Sequence, residues 1–189
     1  MSQEYCQDGG CTCGYFSSEP AYTPPGVDGP GPGDADWGCV FGAGLENFDL
    51  ESALHGRGPD SEHDCLVRAL APVFTLIERG QVHAEVTLAY VHCRPTPAGH
   101  ILHGGTSLAL AETVAGVASM ALCEPGEHPV GMNVTASHVS MARLGQKLKI
   151  ICTSLHKGST SHLWNIDITD ENGKMISTAR VTNAIIKKR

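Results

Sequence analysis

The run ILHGGTSLALAETVAGVASMAL, residues 101–122, is almost wholly apolar or small, yet one carboxylate, Glu112, stands near its middle. Thr106 and Ser107 are of the type that caps a helix, so the pattern predicts a helix of about 16–18 residues starting there. Its apolar residues run nearly all round, which predicts burial on most faces. A carboxylate inside such a helix is costly unless it is paired or hydrogen-bonded. Burial of this kind is also how enzymes prepare a general base or a carboxylate nucleophile. Gly116, one turn further on, leaves room beside the acid. Ahead of the helix stand His103, Gly104 and Gly105. Glycines let a ligand approach the backbone closely. Free N–H groups at the positive end of a helix are donors for a developing oxyanion. An acid and oxyanion donors in a dry site are the equipment of acyl-transfer hydrolysis. A purely structural role, with Glu112 paired to a buried Lys or His, is the competing expectation.

On either side of this helix the sequence reads as strands. VFTLIERGQVHAEVTLAYVHC, from Val73, predicts two strands joined at Arg79-Gly80. In the second, Val82, Ala84, Val86, Leu88 and Tyr90 alternate with His83, Glu85 and Thr87, giving one buried face. RPTPAG then breaks the strand, because proline removes ladder donors. EPGEHP ends the helix, and four β-rich runs follow, the last two separated by Asn172-Gly173, a strong hairpin signal. The fold class is α+β: a curved antiparallel sheet of five to six strands against one long helix. Residues 1–44, rich in Gly, Pro and Asp, form an expected disordered tail. Residues 45–72 form an irregular or helical lead-in, with a short helix around Leu66, Val67 and Leu70, and residues 73–189 form the folded domain.

With 189 residues and a formal charge of −7, the chain is a poor electrostatic partner for nucleic acid. No apolar stretch is long enough for a membrane span, and the N-terminus lacks a secretory signal. A soluble cytoplasmic protein is expected, with organelle import left open. Three of the eight cysteines cluster at Cys6, Cys11 and Cys13, in a spacing that has no zinc knuckle.

The residues HGG at 103–105, with Glu112 nine positions after the histidine, resemble the signature of hot-dog-fold acyl-CoA thioesterases. The branch is that of the phenylacetate-pathway, 4-hydroxybenzoyl-CoA and 1,4-dihydroxy-2-naphthoyl-CoA enzymes. Two further motifs agree, Asn133-Val134-Thr135-Ala136-Ser137-His138 and Leu155-His156-Lys157-Gly158. The resemblance implies hydrolysis of an acyl-CoA with an aromatic or medium-sized acyl group, in a homodimer or homotetramer with active sites at subunit interfaces. No cofactor is implied, since coenzyme A is part of the substrate. Glu112 would be nucleophile or general base, the Gly104 amide would polarise the thioester carbonyl, and His103 would shape the catalytic loop. Gly105, Gly116, His100 and His138 would line the substrate site, and His156 and Lys157 would lie near the nucleotide of coenzyme A. Two positions depart from the pattern: Pro97 stands where relatives place Gln or Asn, leaving Thr96 and His100 as the nearby polar side chains, and Gly116 stands where relatives often carry Ser or Thr.

Rival chemistries have less support. His92, Cys93, His100 and His103 are chemically sufficient for zinc, but a continuing strand would point His92 and Cys93 to opposite faces, so no metal is expected. No serine stands in the G-x-S-x-G elbow. A hydratase on the same fold is a minor alternative. A non-catalytic acyl-CoA binder or sensor is the main one, because of Pro97.

Overall fold

The computed structural model describes residues 66–187. The expected tail, with its cysteine cluster, and the part of the lead-in up to residue 65 lie outside the described residues. A short helix, α1 (Leu66–Leu70), precedes the hairpin of β1 (Val73–Glu78) and β2 (Gln81–Thr87). The hairpin turns at Arg79-Gly80, as predicted, with Glu78 opposite Gln81. Val82, Ala84 and Val86 are buried in β2, and Leu88 follows them inward. The alternation stops short of Tyr90, which is exposed in the 3-10 turn Tyr90–His92.

The proline-rich stretch does not simply break the chain. It forms a small hairpin of β3 (Cys93–Thr96) and β4 (Gly99–Leu102), with Pro95 opposite His100. A two-stranded ribbon consists of two edges, and edge strands are where proline's missing donor is tolerated.

The long helix, α2 (Gly104–Met120), has 17 residues, within the predicted length. It begins earlier than expected, and its cap is His103 rather than Thr106 or Ser107. Its side chains Leu110, Val114 and Ala118 pack into the core, but a stripe of Gly105, Ala109, Glu112 and Gly116 is not buried. Burial on most faces is therefore corrected: the sheet covers one side of the helix, and small residues leave the other side open.

Four strands close the fold: β5 (Glu127–His138), β6 (Lys147–Lys157), β7 (Ser161–Asp170) and β8 (Met175–Lys187). The EPGEHP stretch therefore does not merely end the helix, because Glu127, His128 and Pro129 already belong to β5. The antiparallel six-stranded sheet runs β1-β2-β6-β7-β8-β5. Helix α2 crosses it, touching β2, β5, β6, β7 and β8. Between β7 and β8 only Gly173 is left-handed, at φ 82°. The Asp170 carboxylate accepts from the Asn172 and Lys174 amides, both at 2.9 Å, so this is a three-residue loop rather than a two-residue turn.

One buried polar cluster fixes the helix on the sheet. Trp164 Nε1 donates to Ser119 Oγ at 2.7 Å, and Asn183 Nδ2 donates to Ser119 Oγ at 2.8 Å and to the Ala115 carbonyl at 3.0 Å. Burying these groups without partners would cost about 1–3 kcal/mol each, so the bonds specify the helix's seat and rotation.

Candidate active site

The loop before α2 is built on backbone contacts. His92 accepts the Ala89 amide at Nδ1 (3.0 Å) and donates from Nε2 to the Ala69 carbonyl (2.9 Å). Its own carbonyl takes the His103 N–H at 3.0 Å. His103 Nδ1 then accepts from the Gly105 amide at 2.9 Å, while the His103 carbonyl takes the Thr106 and Ser107 amides at 3.0 and 3.3 Å. Of the first-turn amides, Gly104 N–H alone has no partner among the described residues. It stands at the positive end of the helix dipole.

A cavity of about 320 Å³ opens beside it, lined by Gly104, Ser107, His138, Arg94 and apolar side chains including Ile101, Met141 and Ile176. His138 Nδ1 is hydrogen-bonded to Ser177 Oγ at 3.1 Å. The ring's other nitrogen leans on the glycine, since a Cβ added at Gly104 would lie 2.9 Å from His138 Nε2. Only glycine lets the two approach this closely.

Glu112 is placed differently from expectation. Within the protomer it is exposed, on the open stripe of α2, and makes no ion pair among the described residues. It is not in a greasy interior, because only the edge strand β5 borders it and the rest of its surroundings in the protomer are open. Its carboxylate lies against Gly131 of β5, where an added Cβ would collide with Oε1. Gly131 borders a bulge in the β5–β8 register, and β5 is an edge of the sheet. Gly116 has open space where a side chain would be, as the sequence suggested.

The other expected residues scatter. His100 packs edge-on against Tyr90, with ring centroids 5.0 Å apart. Thr96 Oγ donates to the Gly99 carbonyl at 2.6 Å and is spent on the hairpin tip, where Pro97 is exposed. His156 and Lys157 end β6, and Lys157 faces His162 of β7. They lie toward Cys123, past the C-terminal end of α2. Burial and Glu127 push the Cys123 thiol up to about 12, against a lowering by Lys157. With 17 residues in α2, that end is about 24 Å along the axis from Gly104. One protomer therefore does not join His156 and Lys157 to the Gly104 cavity. The quartet His92, Cys93, His100 and His103 does not form a ligand set either: His92 spends both ring nitrogens on backbone, and burial holds the Cys93 thiol above its usual range.

Sequence reasoning missed Arg94, Ser107, Ser177 and Gly131 around the site, and Ser119, Trp164 and Asn183 behind it. Asn183 and Ser177, polar residues in step with the inward Ala179, Val181 and Ile185 of β8, carried a readable signal. The others sit at positions whose importance depends on tertiary contact.

The described residues contain no helix long and apolar enough to cross a membrane. Residues 99–177 match the family model of the Thioesterase superfamily. The chain is 42% identical over 87 residues to a 1,4-dihydroxy-2-naphthoyl-CoA hydrolase of Escherichia coli, a match covering 46% of this chain and 62% of that enzyme. It is 33% identical to the proofreading thioesterase EntH of Klebsiella pneumoniae, covering 67% of this chain and 89% of the relative. Among solved structures, a thioesterase from Haemophilus influenzae superposes with a TM-score of 0.60 at 28% identity, covering 66% of this chain and 84% of that one. With the six-stranded sheet set against one long helix, and HGG at the helix start, these matches make the chain a hot-dog-fold member of the thioesterase superfamily.

Proposed function

We propose that this thioesterase hydrolyses an acyl-CoA thioester with an aromatic or medium-sized acyl group, releasing the free acid and coenzyme A, at a site shared between two copies of the chain. The carrying observation is the first-turn amide left without a partner among the described residues, Gly104 N–H, beside a cavity that His138 also lines. A thioester carbonyl there would gain an oxyanion donor that needs no reorganisation. Where Ser177 donates to Nδ1, His138 Nε2 carries its proton toward the same spot and adds a second donor. Glu112 is eight residues beyond Gly104 on the same helix, an axial rise of about 12 Å. It cannot reach a carbonyl held on its own Gly104, so Glu112 of a second copy must act.

Edge strand β5 supports such a pairing. Among the described residues no strand pairs with its outer edge, and Val130 and Met132 are exposed along it. Docking a second copy there would cover the open stripe of α2 and exclude water from Glu112. The carboxylate then either takes a proton from the attacking water or attacks the carbonyl itself. Where the carboxylate activates water, the tetrahedral oxyanion collapses to the free acid with loss of the coenzyme A thiolate; where it attacks, the same collapse leaves an acyl–Glu112 anhydride that water then hydrolyses, so water is the only co-reactant in both routes. The aromatic acyl group follows the named activity of the Escherichia coli relative. No cofactor is required.

A non-catalytic acyl-CoA binder is the second reading, favoured by one observation: Pro97 offers no amide and Thr96 Oγ is already spent. A panel of benzoyl-type and fatty acyl-CoA thioesters, assayed for thiol release with wild type and Glu112→Gln, separates the two. Wild-type turnover that the substitution abolishes supports hydrolysis, whereas saturable binding without turnover supports the binder.

A further inference from the structure

Arg94 of β3 stands opposite Ile101 of β4 and shares the cavity with Gly104, Ser107 and His138. The other described arginines have partners: Arg79 meets Glu124, Arg143 donates to the Ala98 carbonyl, Arg180 to Asn165, and Arg68 is also engaged. Arg94 has no partner among the described residues, and no carboxylate lines its cavity. Ser107 lines the same space, and although the residue is only 2% exposed its hydroxyl has no hydrogen-bond partner among the described residues. Ile101, Met141 and Ile176 supply an apolar wall. A planar guanidinium beside a spare hydroxyl matches a carboxylate, which it binds with two parallel hydrogen bonds.

We infer that this cavity is an acyl subsite for a group with an apolar body and a carboxylate remote from the thioester, the carboxylate held by Arg94 with Ser107 beside it. The inference rests on the proposed reading in which Gly104 holds the thioester carbonyl. A phosphate of coenzyme A is the other anion of such a substrate. The pantetheine arm puts two amides and several methylenes between the sulfur and the first phosphate. Extended, that arm carries the first phosphate well past the span of a cavity of about 320 Å³ that already includes Gly104. The anion near Arg94 therefore belongs to the acyl side.

The test measures kcat/KM of the full chain on matched pairs, benzoyl-CoA with 4-carboxybenzoyl-CoA and hexanoyl-CoA with adipoyl-CoA. Wild type, Arg94→Gln and Arg94→Lys are compared, and each measurement is repeated on pantetheine thioesters that lack phosphate. Arg94→Gln is expected to lower the carboxylated-to-neutral ratio by about 10-fold or more on both carriers, with Arg94→Lys retaining part of the preference. An unchanged ratio overturns the subsite. A uniform loss confined to CoA thioesters also overturns it, by assigning Arg94 to phosphate, and a uniform loss on both carriers does so by assigning it to the carbonyl. Calorimetry of terephthalate and benzoate binding keeps the two proposals apart. Arg94-dependent binding of terephthalate with no hydrolysis of any thioester sinks the enzymatic reading and keeps the subsite. Hydrolysis with Arg94-independent binding sinks the subsite alone.

Discussion

The two ends of α2 treat their polar groups in opposite ways. At the N-terminal end Gly104 N–H, Ser107 Oγ and the nearby Arg94 guanidinium face a cavity without partners among the described residues. Near the C-terminal end Ser119 Oγ accepts from both Trp164 and Asn183. The satisfied end is the anchor, because a buried network with every member paired fixes one arrangement of helix on sheet. The unsatisfied end keeps its donors for a ligand, and Glu112, between the two, takes its direction from the anchor.

Breaking the open side should cost activity and spare the fold. Glu112→Ala is expected to lower kcat about 10²- to 10⁴-fold, the range for losing a general base. A near wild-type rate in the folded variant would remove Glu112 from the reaction. Gly104→Pro should lower kcat about 10²- to 10³-fold, the range for one oxyanion donor. Proline suits the first helical position, and His103 is already extended at φ −76° and ψ 135°, as a residue before proline must be. Gly104→Ala supplies the control. It keeps the N–H while pressing the same Cβ toward His138, so equal losses in both variants would point to crowding rather than a lost donor.

Breaking the anchored side should do the reverse. Ser119→Ala leaves Trp164 Nε1 without an acceptor, and stability should fall by about 1–3 kcal/mol in denaturant titration. KM should change little, and a large KM effect with unchanged stability would contradict the anchoring role.

The smallest effect lies beyond this end, at His162. Burial first, then Lys157 and His156, hold its pKa below the usual histidine value, against an opposing pull from Glu127. The unfolded chain then takes the proton first as pH falls. The contribution to stability is whole above about pH 6.5, is lost as pH drops through that value, and levels off below the folded pKa. His162→Gln should flatten the melting temperature between pH 7 and 5; an identical slope in the variant would count against it.

The sheet, the long helix and HGG at its start were legible because hydrophobic period and glycine placement are local signals. The boundary errors were local as well. The His103 ring does the work expected of Thr106 or Ser107, and Pro95 enters a ribbon whose strands are both edges. The environment of Glu112 was not legible. An all-apolar helix reads as wrapped, whether the missing wall comes from its own sheet or from another molecule. Arg94 was illegible for a different reason, since an unpaired cation is defined only by what the fold leaves out of its reach.

Subunit complementation tests the shared site most directly. Glu112→Ala and Gly104→Pro proteins, each inactive alone, are mixed, allowed to exchange subunits and assayed for thiol release. If one site takes Gly104 from one copy and Glu112 from the other, each hybrid dimer holds one intact site, and random exchange restores about a quarter of wild-type activity. No recovery, with hybrid dimers demonstrated by mass, would contradict the account.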